Sequence, residues 1–127
     1  MKKNKKILVD MTCSLIHHGH IRILKKASKF GAVIVALTKD KDIIKHKKFK
    51  PPLKFKERKE ILESIKYVLK VIPSNYFISN KFLVKNNIDY LVHGKDNKNE
   101  IDKKYLKIFK KTKTISSTRL RKTLRHY

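Results

Sequence analysis

The chain is short of cysteine, of glycine and proline, and of acid. One cysteine, Cys13, in 127 residues excludes an internal disulfide framework and a zinc site built from several cysteines. Three glycines and three prolines against 40% apolar residues argue against a disordered tail, despite the charge. No apolar run approaches the ~18 residues of a membrane-spanning helix. The basic start, Met1-Lys2-Lys3-Asn4-Lys5-Lys6, is followed by an apolar stretch, Ile7 to Val9, that Asp10 breaks. That stretch is too short for the core of a secretory signal. The expectation is a soluble, cytoplasmic protein with a single domain over residues 1–127, long enough for one layered core.

Acid is scarce because lysine is abundant. Ten acidic residues face 34 basic ones, for a formal net charge of +24. Such a charge attracts any polyanion. Of the basic residues 29 are lysines and five are arginines, and the lysines are spread along the whole chain. Specific phosphate and base readout leans on the planar fork of arginine. Scattered lysines read instead as solvated positions filled by a lysine-biased composition, so no specific nucleic-acid partner is expected. Nonspecific affinity at low salt is.

What is present is an alternation of short apolar runs and helical patterns. Lys6 to Asp10 reads as a buried strand, and Met11 to His20 as a polar connection rich in histidine. Ile21, Leu24, Ala27 and Ser28 recur at helical spacing, with Gly31 as the C-terminal cap. Ala32 to Leu37 is a continuous apolar run of strand length. Strand, helix, strand in so short a stretch is a βαβ unit with parallel pairing. Lys39 to Lys54 reads as a basic loop and Phe55 to Tyr67 as a second helix. Val68 to Ile72 reads as a third strand stopped by Pro73, and Asn80 to Asn87 as a short helix. Asp89 to His93 and Leu106 to Phe109 are the fourth and fifth strands, and Ser116 to His126 is a last helix. The pattern predicts an α/β, Rossmann-like domain with a mostly parallel five-stranded sheet and helices on both faces. In such sheets ligands bind beyond the carboxyl ends of the strands.

His17-His18-Gly19-His20 lies at such an end, between the first strand and the first helix. Gly19 permits close backbone approach. His17 and His20, three apart at a helix mouth, can share a face, and free N–H groups with a partial positive charge suit phosphate there. A metal site lacks a cysteine partner and any acid within the loop. Packing accounts for one histidine but not for three around one glycine. The phosphate site fits position, residue type and geometry together.

With this His-x-Gly-His loop the chain resembles the nucleotidyltransferases that carry that signature, and among them the cytidylyltransferases acting on glycerol-3-phosphate, choline-phosphate and ethanolamine-phosphate. The resemblance includes "ERKEILESIKYV" from Glu57 to Val68, Ile72-Pro73, "KNNIDYLVHG" from Lys85 to Gly94, and "ISST" from Ile115 to Thr118. It implies transfer of CMP from CTP to a small phosphorylated alcohol with release of pyrophosphate, Mg²⁺ bound with the CTP, and a homodimer. His17 and His20 would then contact the nucleotide phosphates and stabilise the transition state. Arg58 would contact phosphate or acceptor. Lys47 would bind the acceptor phosphate, with Lys48 and Lys50 competing for that role. Thr12 and Cys13, with Gly19, would line the nucleotide. Gly94 and Asp96 would frame cytosine and ribose. Lys111, Ser116, Ser117 and Thr118 would hold the triphosphate at the last helix.

The chain departs from the family pattern in places. The family's "GTFD" reads Met11-Thr12-Cys13-Ser14, and the arginine before the "TEGIST" segment is Lys111. Lysine supplies charge but no bidentate fork. The alternatives are an adenylyltransferase of the same superfamily using ATP, and a noncatalytic basic module that binds nucleic acid.

Overall fold

The computed structural model describes residues 5–93 and 105–108. The first strand, β1 (Lys6–Met11), leads through the histidine loop into α1 (His18–Ser28), and β2 (Ala32–Thr38) follows. Two helices come next, α2 (Asp40–Lys47) and α3 (Phe55–Glu63). After them come β3 (Val68–Ser74), α4 (Asn80–Lys85), β4 (Tyr90–His93) and a three-residue edge strand, β5 (Leu106–Ile108). Every strand pair is parallel, and the order across the sheet is β3-β2-β1-β4-β5.

The apolar runs form strands because both faces of the sheet are covered. Ile7 and Val9 of β1, with Val33, Val35 and Leu37 of β2, pack under Leu24 and Ala27 of α1 and Leu62 of α3. Leu8, Ile34 and Ala36 turn the other way and pack under Leu83 of α4, with Ile78 and Ile88. Alternation along β1 thus feeds two separate cores, and Val9 lies in register with Val35 on one side and Val92 on the other.

Four local expectations are corrected. The segment Lys39 to Lys54 is not all loop, because its first half is α2. Asp40 and Asp42 sit in the first turn of that helix and Lys45, His46 and Lys47 in its last, matching the helix dipole at both ends. Only Ile43 is buried, so the apolar stripe is one residue wide. Second, Pro73 does not stop β3, which runs on to Ser74 with Pro73 in register with Leu37. β3 is an edge strand, where an absent N–H on the solvent side costs no ladder bond. The same strand skips register between Val68 and Lys70, leaving Leu69 as an extra residue that is 63% exposed. Such a bulge, like the proline, blunts an open edge. Third, α1 ends on Lys29 as its cap, and Gly31 has no positive φ. Gly31 is needed because a Cβ there would run into the Lys5 carbonyl, whose oxygen accepts the Ala32 N–H at 2.9 Å. Fourth, the helix expected from Phe55 to Tyr67 is α3, which ends at Glu63, and a turn closes it. The expected helix from Ser116 to His126 lies outside the described residues.

The strand order reverses beside β1: β2 and β3 lie to one side of it, β4 and β5 to the other. The crevice at the carboxyl ends of β1 and β4 is therefore the topological switch point, where sheets of this kind take their ligands.

Candidate functional site

The histidine loop leaves the carboxyl end of β1 and opens α1 at that crevice. His17 is the N-cap of α1, with φ −143° and ψ 178°. Its Nδ1 accepts the Gly19 N–H at 3.0 Å, and the Nδ1 of His20 accepts the His17 N–H at 3.1 Å. This is a capping box built from two imidazoles. The three-residue spacing that places both rings on one side is also the spacing that reciprocal capping requires. The ring centroids are 4.1 Å apart, tilted by 40°. His18 is exposed and meets the His17 ring edge-on at 6.0 Å.

The capping bonds fix the protons. A nitrogen that accepts a hydrogen bond carries its lone pair, so in both rings the proton sits on Nε2. Burial lowers the pKa of His20 to about 4, and the neighbouring His17 adds to the effect. His17 is lowered as well, by burial first and by His18 second. Both imidazoles are therefore neutral at pH 7. Each keeps one N–H donor that the cap does not use. No acidic residue lies in the first turn of α1, whereas α2 has Asp40 and Asp42 there and α3 has Glu57. The positive end of the α1 dipole is not neutralised from within the helix.

The segment between β1 and His17 is held from beneath. Cys13 is 3% exposed with φ 53°, a left-handed backbone in a non-glycine residue. Burial pushes its thiol up to about 12, against the opposing pull of Arg58. Cys13 is thus an inert packing group, and its side chain belongs to the core under α1 rather than to a nucleotide surface. Thr12 is half-buried, and its carbonyl accepts Arg58 Nη1 at 2.6 Å.

Arg58 is the largest correction. Sequence reasoning sets it against a substrate phosphate, but the structure encloses it completely, at 0% exposure. All three guanidine nitrogens donate inward. Nε donates to the Leu53 carbonyl at 3.1 Å, Nη1 to Thr12, and Nη2 to Asp40 Oδ1 at 2.5 Å. Its guanidinium carbon lies 5.8 Å from the centre of the Phe55 ring. In this arrangement Arg58 is a clamp beneath the loop. Its carboxylate partner, Asp40, carries little mark in the sequence. The available signal is an acid at the start of a helix, in a segment whose pattern reads as loop.

The three lysines expected to compete for the acceptor phosphate lie on the segment that follows β2. Lys47 is the last residue of α2 and is exposed; Lys48 caps the helix with φ 60°, and Lys50 is exposed beyond it. The far end of α2 is anchored by His46, whose ring stacks on Tyr76 at 4.5 Å, with Phe77 edge-on to both. Gly19 lies in the first turn of α1, its N–H given to His17. Gly94, Asp96, Lys111, Ser116, Ser117 and Thr118 lie outside the described residues. Among the described residues no group of three or more His, Cys, Asp or Glu could hold a metal ion, and no helix is long and apolar enough to cross a membrane.

Comparison with known proteins adds an independent finding. A family model described as cytidylyltransferase-like matches residues 12–125. The glycerol-3-phosphate cytidylyltransferase of Staphylococcus aureus is 36% identical, over 94% of this chain and 95% of that protein. The Bacillus subtilis enzyme of the same name is 31% identical, over 94% and 97%. An ethanolamine-phosphate cytidylyltransferase of Mus musculus is 32% identical over 72% of this chain but only 23% of that protein. Among solved structures, a lipopolysaccharide core biosynthesis protein from Thermoplasma volcanium superposes with a TM-score of 0.65 at 17% identity, covering 96% of this chain and 87% of that one. That last likeness is one of fold alone.

Proposed function

The chain belongs to the cytidylyltransferase-like family, and from that premise we propose that it transfers CMP from CTP to a small phosphorylated alcohol, releasing pyrophosphate. Glycerol-3-phosphate is the first acceptor to test, because relatives aligned over almost their full length carry that substrate in their names. The observation that carries the reading is the reciprocal histidine cap, which leaves one Nε2–H unused by the cap on each of two rings 4.1 Å apart at the mouth of α1, beside the sheet's switch point.

The chemistry asks little covalent work of the protein. An oxygen of the acceptor phosphate attacks the α-phosphorus in line, the bond from that phosphorus to the bridging oxygen breaks, and pyrophosphate leaves with the electron pair. The attacking oxygen is already anionic, so no general base is needed. Catalysis is then the positioning of two anions and the neutralisation of charge that grows in the transition state. Neutral imidazoles suit this role as preorganised donors that need no proton transfer. On this reading His17 and His20 donate to the α-phosphate region. Lys47, Lys48 or Lys50 draws in the acceptor phosphate. Thr12 and Gly19 offer backbone close to the nucleotide. Gly94 and Asp96 frame the cytidine, and Lys111, Ser116, Ser117 and Thr118 hold the triphosphate. Mg²⁺ arrives with the CTP as part of the substrate. The working form is a cytoplasmic homodimer, which light scattering on the purified chain would test.

The decisive experiment incubates the protein with CTP, Mg²⁺ and a panel of phospho-alcohols and measures pyrophosphate. Release that depends on glycerol-3-phosphate is the expected result. Silence with glycerol-3-phosphate, phosphoethanolamine, phosphocholine and polyol phosphates alike would overturn the reading.

A further inference from the structure

A guanidinium buried without water is costly unless its charge is answered and every donor is used. Arg58 has its charge answered and a hydrogen bond from each of its three nitrogens, and among the described residues Asp40 alone supplies the charge among those partners. Asp40 uses both carboxylate oxygens. Oδ1 takes Arg58 Nη2 and Oδ2 takes the Phe55 N–H at 3.2 Å, at the first residue of α3. Asp40 is itself the first residue of α2. One carboxylate therefore ties together the start of α2, the start of α3 and, through Arg58, the Thr12 carbonyl in the loop that ends at His17.

We propose that Asp40 is a positioning residue for the transfer reaction: through Arg58 it pins the backbone from which His17 and His20 project, and it sets that backbone against the helix that carries Lys47. The inference deepens the proposed cytidylyl transfer and rests on it. The physical need is visible at Cys13. A non-glycine residue in the left-handed region persists only where its surroundings over-determine it, and the carbonyl immediately before it is the one Arg58 holds. Released from that bond, the loop can relax toward an ordinary backbone, and the imidazole cap five residues on loses its fixed anchor. At its other end α2 is held by the His46–Tyr76 stack, so Asp40 orients a helix already tethered in its last turn, next to Lys47.

The test uses the full chain with Asp40→Asn, at a temperature where circular dichroism shows it folded, and Arg58→Lys as a second variant should the first not fold. Imidazole ¹⁵N shifts of His17 and His20 report the tautomer directly. In the unaltered protein both rings show a bare Nδ1 and a protonated Nε2. In either variant the shifts move toward tautomer averaging, and kcat falls about tenfold to a hundredfold, as expected for a displaced catalytic group, while KM for CTP changes much less. In a His17→Ala background the Asp40→Asn loss shrinks, because both changes act on one loop. Unmoved imidazole shifts in a folded variant overturn the inference whatever the rate does. So does a full kcat in a variant whose shifts have moved. If the unaltered protein turns over no CTP, the proposed function fails, and the imidazole shifts still decide the clamp.

Discussion

His17 and His20 do two things with two nitrogens each, and those roles can be separated. Nδ1 builds the helix cap; Nε2 carries the proton and is not used by the cap. Asparagine is among the best N-cap residues, so His17→Asn keeps the cap and removes the Nε2–H donor. The expected result is a melting temperature close to the parent's and a kcat lower by roughly 10²–10³, the usual cost of one lost transition-state donor. CTP affinity should change far less, because the contact strengthens as charge develops. Equal losses in rate and affinity would mean that the histidine only binds. The cap also predicts a pH dependence. His20 titrates near 4 when folded, against 6.5 for an unperturbed imidazole. Between those values the unfolded chain takes up a proton that the folded chain refuses. This contribution to stability is therefore complete above pH 6.5 and is lost as pH falls toward 4. Melting temperatures measured across that window should drop more steeply for the parent than for His20→Asn, which has no imidazole to protonate.

At the scale of elements, the sheet positions the site and the helices are trimmed to fit it. Gly31 closes the turn between α1 and β2 not by a left-handed backbone but by having no side chain where the Lys5 carbonyl lies. Gly31→Ala must push β1 and β2 apart at their starts. Overpacking of this kind costs about 1–3 kcal/mol, and urea denaturation should show that loss as a shift in midpoint with an unchanged slope. A change within a few tenths would show that Lys5 gives way freely. α2 teaches a different lesson. It has charge at both ends and a single buried residue, Ile43, so periodicity found almost nothing in it. The complementary charges of its first and last turns were the legible signal. Pro73 within β3 misleads for a related reason, since proline ends strands in general but not at an edge, and edge position is a property of the sheet.

At the scale of the whole molecule, the net charge of +24 does not distinguish an enzyme for anionic substrates from a binder of polyanions. The two part in how they respond to ligand and salt. CTP with Mg²⁺ should raise the melting temperature, since a ligand of the native state alone stabilises it, and should do so more than ATP at equal concentration. A larger shift with ATP would favour adenylyl transfer. Nucleic-acid binding, where present, should collapse between about 50 and 200 mM salt and should survive His17→Ala. Loss of that binding in the histidine variant would place nucleic acid in the crevice instead.

The sequence by itself determined what depends on neighbours in the chain. Alternating apolar runs separated by helical patterns define a parallel α/β sheet, because only burial on both faces makes such strands stable. His17 and His20 three residues apart define a helix mouth, because capping is a local bond. Tertiary structure alone decided the fate of Arg58. In sequence it is a cation in a polar helix, indistinguishable from a residue that reaches substrate. In the fold, carbonyls from Thr12 and Leu53 and the carboxylate of Asp40 converge on it from three separate segments. Whether a charge meets solvent, substrate or a buried partner is settled by which distant segments the sheet brings together, and no local pattern carries that information.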